Sequence, residues 1–389
     1  MKYSPTEFLK VATNTAEHFG FRTADSFKNN PLCKNCNTSL SHNISDDERY
    51  SDASNGLLTN SIATFCEKNL YALDAPVLLY SLDQPFNSED TTVSFNIFNV
   101  PKSIAEAILI QTSRSLMQEL GHGDATVRIN SLGDNESITR YNRELTNFLK
   151  KRLDVMPATA RELMKVHPFK SLVQLIEEDH ELAYKSPKPL EFLSDQSRKH
   201  FREIIEYLDM TETPYEIDPM MLSDHEYYSD ALFAIGDVEN ADNESQKLSV
   251  HGGRYDEFVF RKLKNRIPAV GTIITLKSPT KTPSRLPKSK KTSPDVYVVQ
   301  LGFGPKVRSL MIIDELRRAG IPVQHDLSSD SLSTQLREAE ARGVKYSIII
   351  GQKEFIEQTV ILRNMQDRNQ ENISTDQMIR KLKRQLVTS

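Results

Sequence analysis

The chain has 389 residues, 38% hydrophobic and 26% charged, with a formal net charge of −4 at pH 7. That length is expected to hold two domains and an insertion, and the weak acidity excludes a general nucleic-acid-coating protein while leaving room for a local basic patch. No apolar run approaches the roughly 18 residues of a membrane span, and Met1-Lys2-Tyr3-Ser4-Pro5 starts no signal-peptide core, so a cytoplasmic location without a membrane partner is expected.

Cys33-Lys34-Asn35-Cys36 has the spacing of half a zinc knuckle, with His42 and Cys66 as further conceivable ligands. A full signature needs a second pair, which the third cysteine does not supply. The blander reading is reduced surface thiols, so no metal is expected; no thioredoxin-like unit surrounds the pair either. Further on, Ala231-Leu232-Phe233-Ala234-Ile235 reads as a buried strand. It is followed by His251-Gly252-Gly253-Arg254-Tyr255-Asp256. Two glycines let backbone approach a ligand or another strand closely, while Arg254 and Asp256 suit either each other or a zwitterionic ligand, and Tyr255 offers an aromatic wall tipped by a hydroxyl. The alternative is a tight turn with a surface salt bridge.

Residues 278–294 contain Pro279, Pro283, Pro287 and Pro294 with Lys281, Arg285, Lys288, Lys290 and Lys291 and no acid, which predicts an extended, solvated linker. Its basic run suits contact with a nucleic-acid backbone or mere solubility. Beyond it, strands are expected at Val296–Leu301, Ile321–His325, Tyr346–Gly351 and Thr359–Arg363. Helices are expected at Lys306–Ala319, Leu332–Arg342 and Thr375–Leu386, the last with a basic, solvated face. The alternation implies an α/β unit with a largely parallel sheet.

The Gly-Gly-Arg-Tyr-Asp stretch, preceded by Ile217-Asp218-Pro219 and by Glu226-Tyr227-Tyr228, resembles the histidyl-tRNA synthetase family. Ala16–Phe21 is similar to that family's first motif, a helix leading into a strand at a dimer interface. Asn130-Ser131-Leu132-Gly133-Asp134 is similar to the segment after the second motif, 154–208 to a helical insertion, Pro268-Ala269-Val270-Gly271 to the strand closing the active site, and 295–389 to the anticodon-binding domain. The resemblance implies an α/β fold with an α+β core over 1–277, in which a mixed, mainly antiparallel class II synthetase sheet is flanked by helices. A linker over 278–294 and a C-terminal α/β anticodon-binding-like domain follow. It also implies a homodimer.

Its residue-level implications are a histidine pocket retaining Thr59, Tyr227, Tyr228, Gly252, Gly253, Arg254 and Tyr255, and catalytic arginines that are gone. Ser223 stands where an arginine before the tyrosine pair contacts the activated histidine and the α-phosphate of ATP. Ser278 stands where the third motif's arginine holds the γ-phosphate. Thr64 replaces an arginine beside the substrate, Asn96 stands near the second motif's glutamate, and no arginine occurs between Arg49 and Arg114. Lys277 and Lys102 are the nearest substitutes, but a point charge does not reproduce a bidentate fork. Losing one charge-assisted contact costs about 1.5–3 kcal/mol, and one transition-state arginine is worth on the order of 10³-fold in rate.

Three functions remain open. The first is a noncatalytic synthetase-like module that binds tRNA or regulates, needing no cofactor. The second is a divergent histidine–tRNA ligase using ATP and Mg. The third is a subunit acting on a protein partner such as ATP phosphoribosyltransferase, whose synthetase-like regulatory subunit typically lacks the anticodon-binding domain retained here. A decayed pocket kept for folding, its tyrosines filling the core, is an equal alternative to one that still takes a small molecule.

Overall fold

The computed structural model describes residues 3–27, 53–73, 75–83, 90–222, 228–239, 247–277 and 294–387. Helix α1 (Pro5–His18) begins with a reciprocal capping box. Ser4 Oγ accepts from the Glu7 amide at 3.2 Å and the Glu7 carboxylate accepts from the Ser4 amide at 2.9 Å, an arrangement worth on the order of 1 kcal/mol. Its Phe8, Leu9, Ala12 and Ala16 recur at helical spacing and are buried. After it come α2 (Ala53–Glu67), the hairpin β1 (Val77–Asp83) and β2 (Thr91–Phe98), α3 (Ile104–Glu119), β3 (Val127–Gly133) and α4 (Asn135–Lys150). The insertion-like stretch is helical, with α5 (Ala158–Val166), α6 (Pro168–Glu177), α7 (Glu181–Lys185) and α8 (Asp195–Met210). Then follow β4 (Tyr215–Ile217), β5 (Ser229–Glu239), β6 (Lys247–Arg254), α9 (Asp256–Leu263) and β7 (Ala269–Lys277).

These strands form one seven-stranded sheet in the order β1-β2-β7-β6-β5-β3-β4. Every pairing is antiparallel except that of β3 with β4. Side chains alternate between faces, and each face has its own core. Val93, Phe95, Ile97, Phe233, Val250, Val270 and Ile274 pack under α1, α3 and α8. On the other face Leu79, Phe98, Leu232, Tyr255 and Ile273 pack with Leu58, Ile62 and Phe65 of α2.

The second sheet is built by β8 (Val296–Gln300), α10 (Phe303–Arg318), β9 (Val323–His325), α11 (Leu332–Ala341), β10 (Tyr346–Ile350), α12 (Gln352–Glu357), β11 (Thr359–Asn364), β12 (Gln370–Ser374) and α13 (Thr375–Val387). Its order is β12-β11-β10-β8-β9. β10, β8 and β9 run parallel, as the helical crossovers require, while β11 and β12 add antiparallel strands at one side. The sheet is therefore mixed, with a parallel half.

A continuous core joins the two sheets. Ile104 to Ile110 of α3 is buried at every position, because this helix is covered by the first sheet on one side and by α10 on the other. Ile312 and Ile313 of α10 belong to the same apolar cluster as Ile108 and Leu116. Polar contacts line the seam. Ser115 Oγ donates to Asp314 at 2.9 Å, Arg317 pairs with Asp314 and Glu119, and His325 Nε2 meets the Phe19 carbonyl at 2.9 Å. Asp330 is shared by Lys306, at 2.6 Å, and Lys102. The proline-rich linker, from Ser278 to Ser293, lies outside the described residues.

Candidate functional site

The two glycines of β6 face opposite ways. At Gly253 a Cβ would stand 2.9 Å from the Tyr228 ring and 2.8 Å from the Ala231 carbonyl, so only glycine lets that ring lie against the strand. Gly271, next to it on β7, is likewise covered by Asn96 Oδ1 and the Tyr255 ring, at 2.5 and 2.8 Å from the position of a Cβ. Gly252 turns to the other face, against Phe233. Tyr228, Tyr255 and Asn96 thus lie on the α2 side of the sheet. There Tyr255 Oη donates to Asn96 Oδ1 at 2.8 Å, and Asn96 Nδ2 donates to Ser61 Oγ of α2 at 2.9 Å. Burial, reinforced by the neighbouring Tyr228 and Asp256, pushes the Tyr255 phenol well above its ordinary pKa, so it stays a neutral donor. Thr59 of α2 is also fully buried.

Arg254 does not join them. One residue on from Gly253, it projects to the α3 side of the sheet and is almost wholly buried. It grips Glu106 of α3 with a bidentate fork, Nε to Oε1 at 2.8 Å and Nη2 to Oε2 at 2.9 Å. Weaker contacts reach the Val100 and Lys102 carbonyls and Asp256, the last at 3.4 Å. His200 Nε2 of α8 meets Glu106 Oε1 at 2.8 Å. Burial alone would raise the Glu106 pKa, but Arg254 and then His200 outweigh it and hold the carboxyl at about 2. His200, whose burial acts to lower its pKa, is raised by the same carboxylate. The pairing with Asp256 expected from the sequence exists, but Glu106 is the main partner. Neither Glu106 nor His200 stood out from sequence spacing; the one available signal is a lone acid inside the apolar run Ile104-Ala105-Glu106-Ala107-Ile108.

Strands β1, β2, β5 and β7 contain no arginine, and β6 has only Arg254. Lys277 is exposed at the end of β7, and Lys102 is bonded to Asp330 on the side of the second sheet. Asp218, just after β4, sits 3.4 Å from Arg128. Ser223, Tyr227, Ser278, Cys33, Cys36 and His42 lie outside the described residues. Cys66 is buried among apolar side chains, and burial, with Glu67 nearby, pushes its thiol up to about 12. Among the described residues no group of three or more His, Cys, Asp and Glu is placed to hold a metal ion. Beside Tyr228 opens a cavity of about 590 Å³ between α4, α6 and α9, lined in part by Leu132, Phe169, Phe258, Lys170 and Arg261. It reaches Tyr228 but none of Thr59, Gly252, Gly253 or Tyr255.

The anticodon binding domain family matches residues 295–385, the second sheet and its helices. Histidine–tRNA ligase of Caldanaerobacter subterraneus subsp. tengcongensis is 26% identical over 339 residues, spanning 83% of this chain and 79% of that one. Histidine–tRNA ligase of Fervidobacterium nodosum is 30% identical over 280 residues, 69% of this chain and 64% of that one. The chain belongs to the histidyl-tRNA synthetase family. Its first sheet is mainly antiparallel, and the anticodon binding domain match covers the mixed sheet at the C-terminus. The apo histidyl-tRNA synthetase structure from S. aureus covers 83% of this chain and 81% of its own at 18% identity, with a TM-score of 0.45. Among the described residues of this family member, no helix is long and apolar enough to cross a membrane.

Proposed function

We propose that this histidyl-tRNA synthetase family member is a noncatalytic module that binds tRNA through its C-terminal domain. The observation that carries the reading is that, among the described residues, strands β1, β2, β5, β6 and β7 present no arginine on the α2 face of the sheet. Four of the strands that could line a nucleotide site hold no arginine, and the arginine of the fifth is turned away and spent on Glu106. Adenylate formation depends on positioning and neutralising phosphate charge, and the uncharged Tyr255–Asn96–Ser61 chain cannot do this. On this face of the five strands the only Lys or Arg side chains are lysines at the far ends, Lys247 and Lys277, and a point charge does not replace an arginine fork. Tyr228, Gly253, Tyr255 and Thr59 serve to close the core in this reading, with Ser223 and Ser278 in the places of lost arginines.

Support for tRNA as the partner is the retained anticodon-binding domain and the outer face of α13. That face exposes Arg380, Lys383 and Arg384 while Met378 and Leu382 are buried. We further read 1–277 and 295–389 as the two functional units joined by 278–294, the assembly as a twofold homodimer, and the location as cytoplasmic. A partner-enzyme role, with the phosphoribosyltransferase as one instance, gains nothing specific from the geometry. The active-ligase reading has the names of the relatives in its favour.

Filter binding of unfractionated tRNA by the full chain, run beside a histidine-charging assay, tests the proposal. Retention that falls steeply between 50 and 200 mM salt, weakened at least fivefold by reversing Arg380, Lys383 and Arg384 to Glu, is expected without any charging of tRNA. Absence of tRNA binding, or histidine charging at a ligase-like rate, contradicts it.

A further inference from the structure

A second cavity, of about 490 Å³, opens where the start of β5 and the end of β6 meet the starts of α4, α8 and α9. We propose that it binds a small organic cation carrying a protonated amine or guanidinium. The inference is independent of the tRNA reading. The volume falls within the range of small-molecule sites. Its walls carry five carboxylates, those of Asp134, Glu136, Asp230, Asp256 and Glu257, against Arg254, His200 and Arg266. Arg254 and His200 give their charge to Glu106, which lies just behind them. The side chains around the opening are thus acidic in balance.

The acids are not equally engaged. Asp134 is consumed by capping, accepting from the Ser137 amide at 2.9 Å and from Ser194 Oγ at 2.7 Å. Asp256 accepts from the Ala269 amide at 2.6 Å and from Arg254. Asp230 accepts one hydrogen bond, from Ser197 Oγ at 2.8 Å, and has no ion-pair partner among the described residues. It also sits at φ +50° in a β-bulge, a left-handed conformation unfavourable for a side-chain-bearing residue in a strand. Next to it Ser229 is 3% exposed, lines the same cavity, and its Oγ has no hydrogen-bond partner among the described residues. A buried hydroxyl left bare is costly, and this one belongs to a residue in the cavity wall.

Two further observations fix the ligand class. No three of these groups are close enough for a metal ion, so the acceptors suit a larger cation with several donors. Phe260 supplies an aromatic wall that already carries a cation, with the Arg266 guanidinium 5.2 Å from the ring centre. Burial pushes the Asp230 and Asp256 carboxyls above their ordinary values, Glu106 adding to it and Arg254 opposing it. Ser229 and Glu257 line the 590 Å³ cavity as well, so the two openings adjoin.

Calorimetric titration of the full chain at pH 7 with putrescine and with agmatine, and with 1,4-butanediol as a neutral isostere, tests the site. Saturable binding of at least one amine at one site per chain is expected, with none for the diol. Asp230→Asn keeps the left-handed backbone, which Asn tolerates, and keeps the acceptor for Ser197. It should weaken binding at least tenfold with the melting temperature nearly unchanged. Ser229→Ala should weaken it about tenfold by removing one charge-assisted hydrogen bond. Failure of both amines to bind, equal binding of the diol, or undiminished binding by Asp230→Asn overturns the proposal.

Discussion

The two faces of the seven-stranded sheet divide the most conspicuous motif of this chain between them. On the α3 face Arg254 is locked into a buried ionic cluster with Glu106 and His200, beneath a helix that also carries the second sheet. On the α2 face Tyr228 and Tyr255 lie over Gly253 and Gly271 in a neutral, hydrogen-bonded core. One short stretch, Gly253-Arg254-Tyr255, therefore holds a framework cation and a candidate-pocket wall on opposite sides. A motif match cannot say which of its residues meets a ligand; strand alternation can.

The largest effect should come from breaking the ionic face. Arg254→Met leaves Glu106 buried without its main counter-charge, and a loss of about 3–5 kcal/mol is expected by denaturant titration. Adding Glu106→Leu should recover much of that loss, since replacing both charges removes the orphan. A full loss that persists in the double variant would place the cost in packing instead.

Acid should act next, at the seam. Burial lowers the His325 pKa to about 4 from its ordinary value near 6.5, and its Nδ1 has no partner among the described residues. A depressed histidine is neutral in the folded chain and protonates first in the unfolded one. Its contribution is therefore present above about pH 6.5 and lost as pH falls through 6.5 toward 4, by up to about 3 kcal/mol. His325→Asn should flatten the melting temperature over that window; an unchanged slope would assign the acid sensitivity elsewhere.

The α2 face should respond more mildly. Gly271→Ala places a methyl against Asn96 and Tyr255 and should cost about 1–3 kcal/mol by overpacking. Tyr255→Phe strips a donor from buried Asn96 and should cost about 1–2 kcal/mol. Should either variant bind histidine differently while melting like the parent, the face would be a working pocket rather than a core.

Much of this architecture was legible in the sequence, because periodicity reports burial directly. The alternation from Val296 to Leu386 and the buried run Ala231–Ile235 correspond to β8 through α13 and to β5. β12 was not anticipated: Gln370-Glu371-Asn372 is exposed and polar, so its strand character comes only from pairing with β11. The same strand adds to the antiparallel half of a sheet expected to be largely parallel. The site was less legible, since its contacts join distant parts of the chain: Glu106 and Arg254 are 148 residues apart, and Ser61, Asn96 and Tyr255 come from three elements. Asp230 and Ser229 carried no motif at all; only a bulge and an unpartnered hydroxyl mark them.

Histidine-dependent ATP–pyrophosphate exchange by the purified full chain with magnesium, beside an active histidyl-tRNA synthetase, tests the central claim most directly. The account expects exchange no greater than the histidine-free background. Exchange within about tenfold of the active enzyme would contradict it and show that cations other than strand arginines neutralise the phosphates.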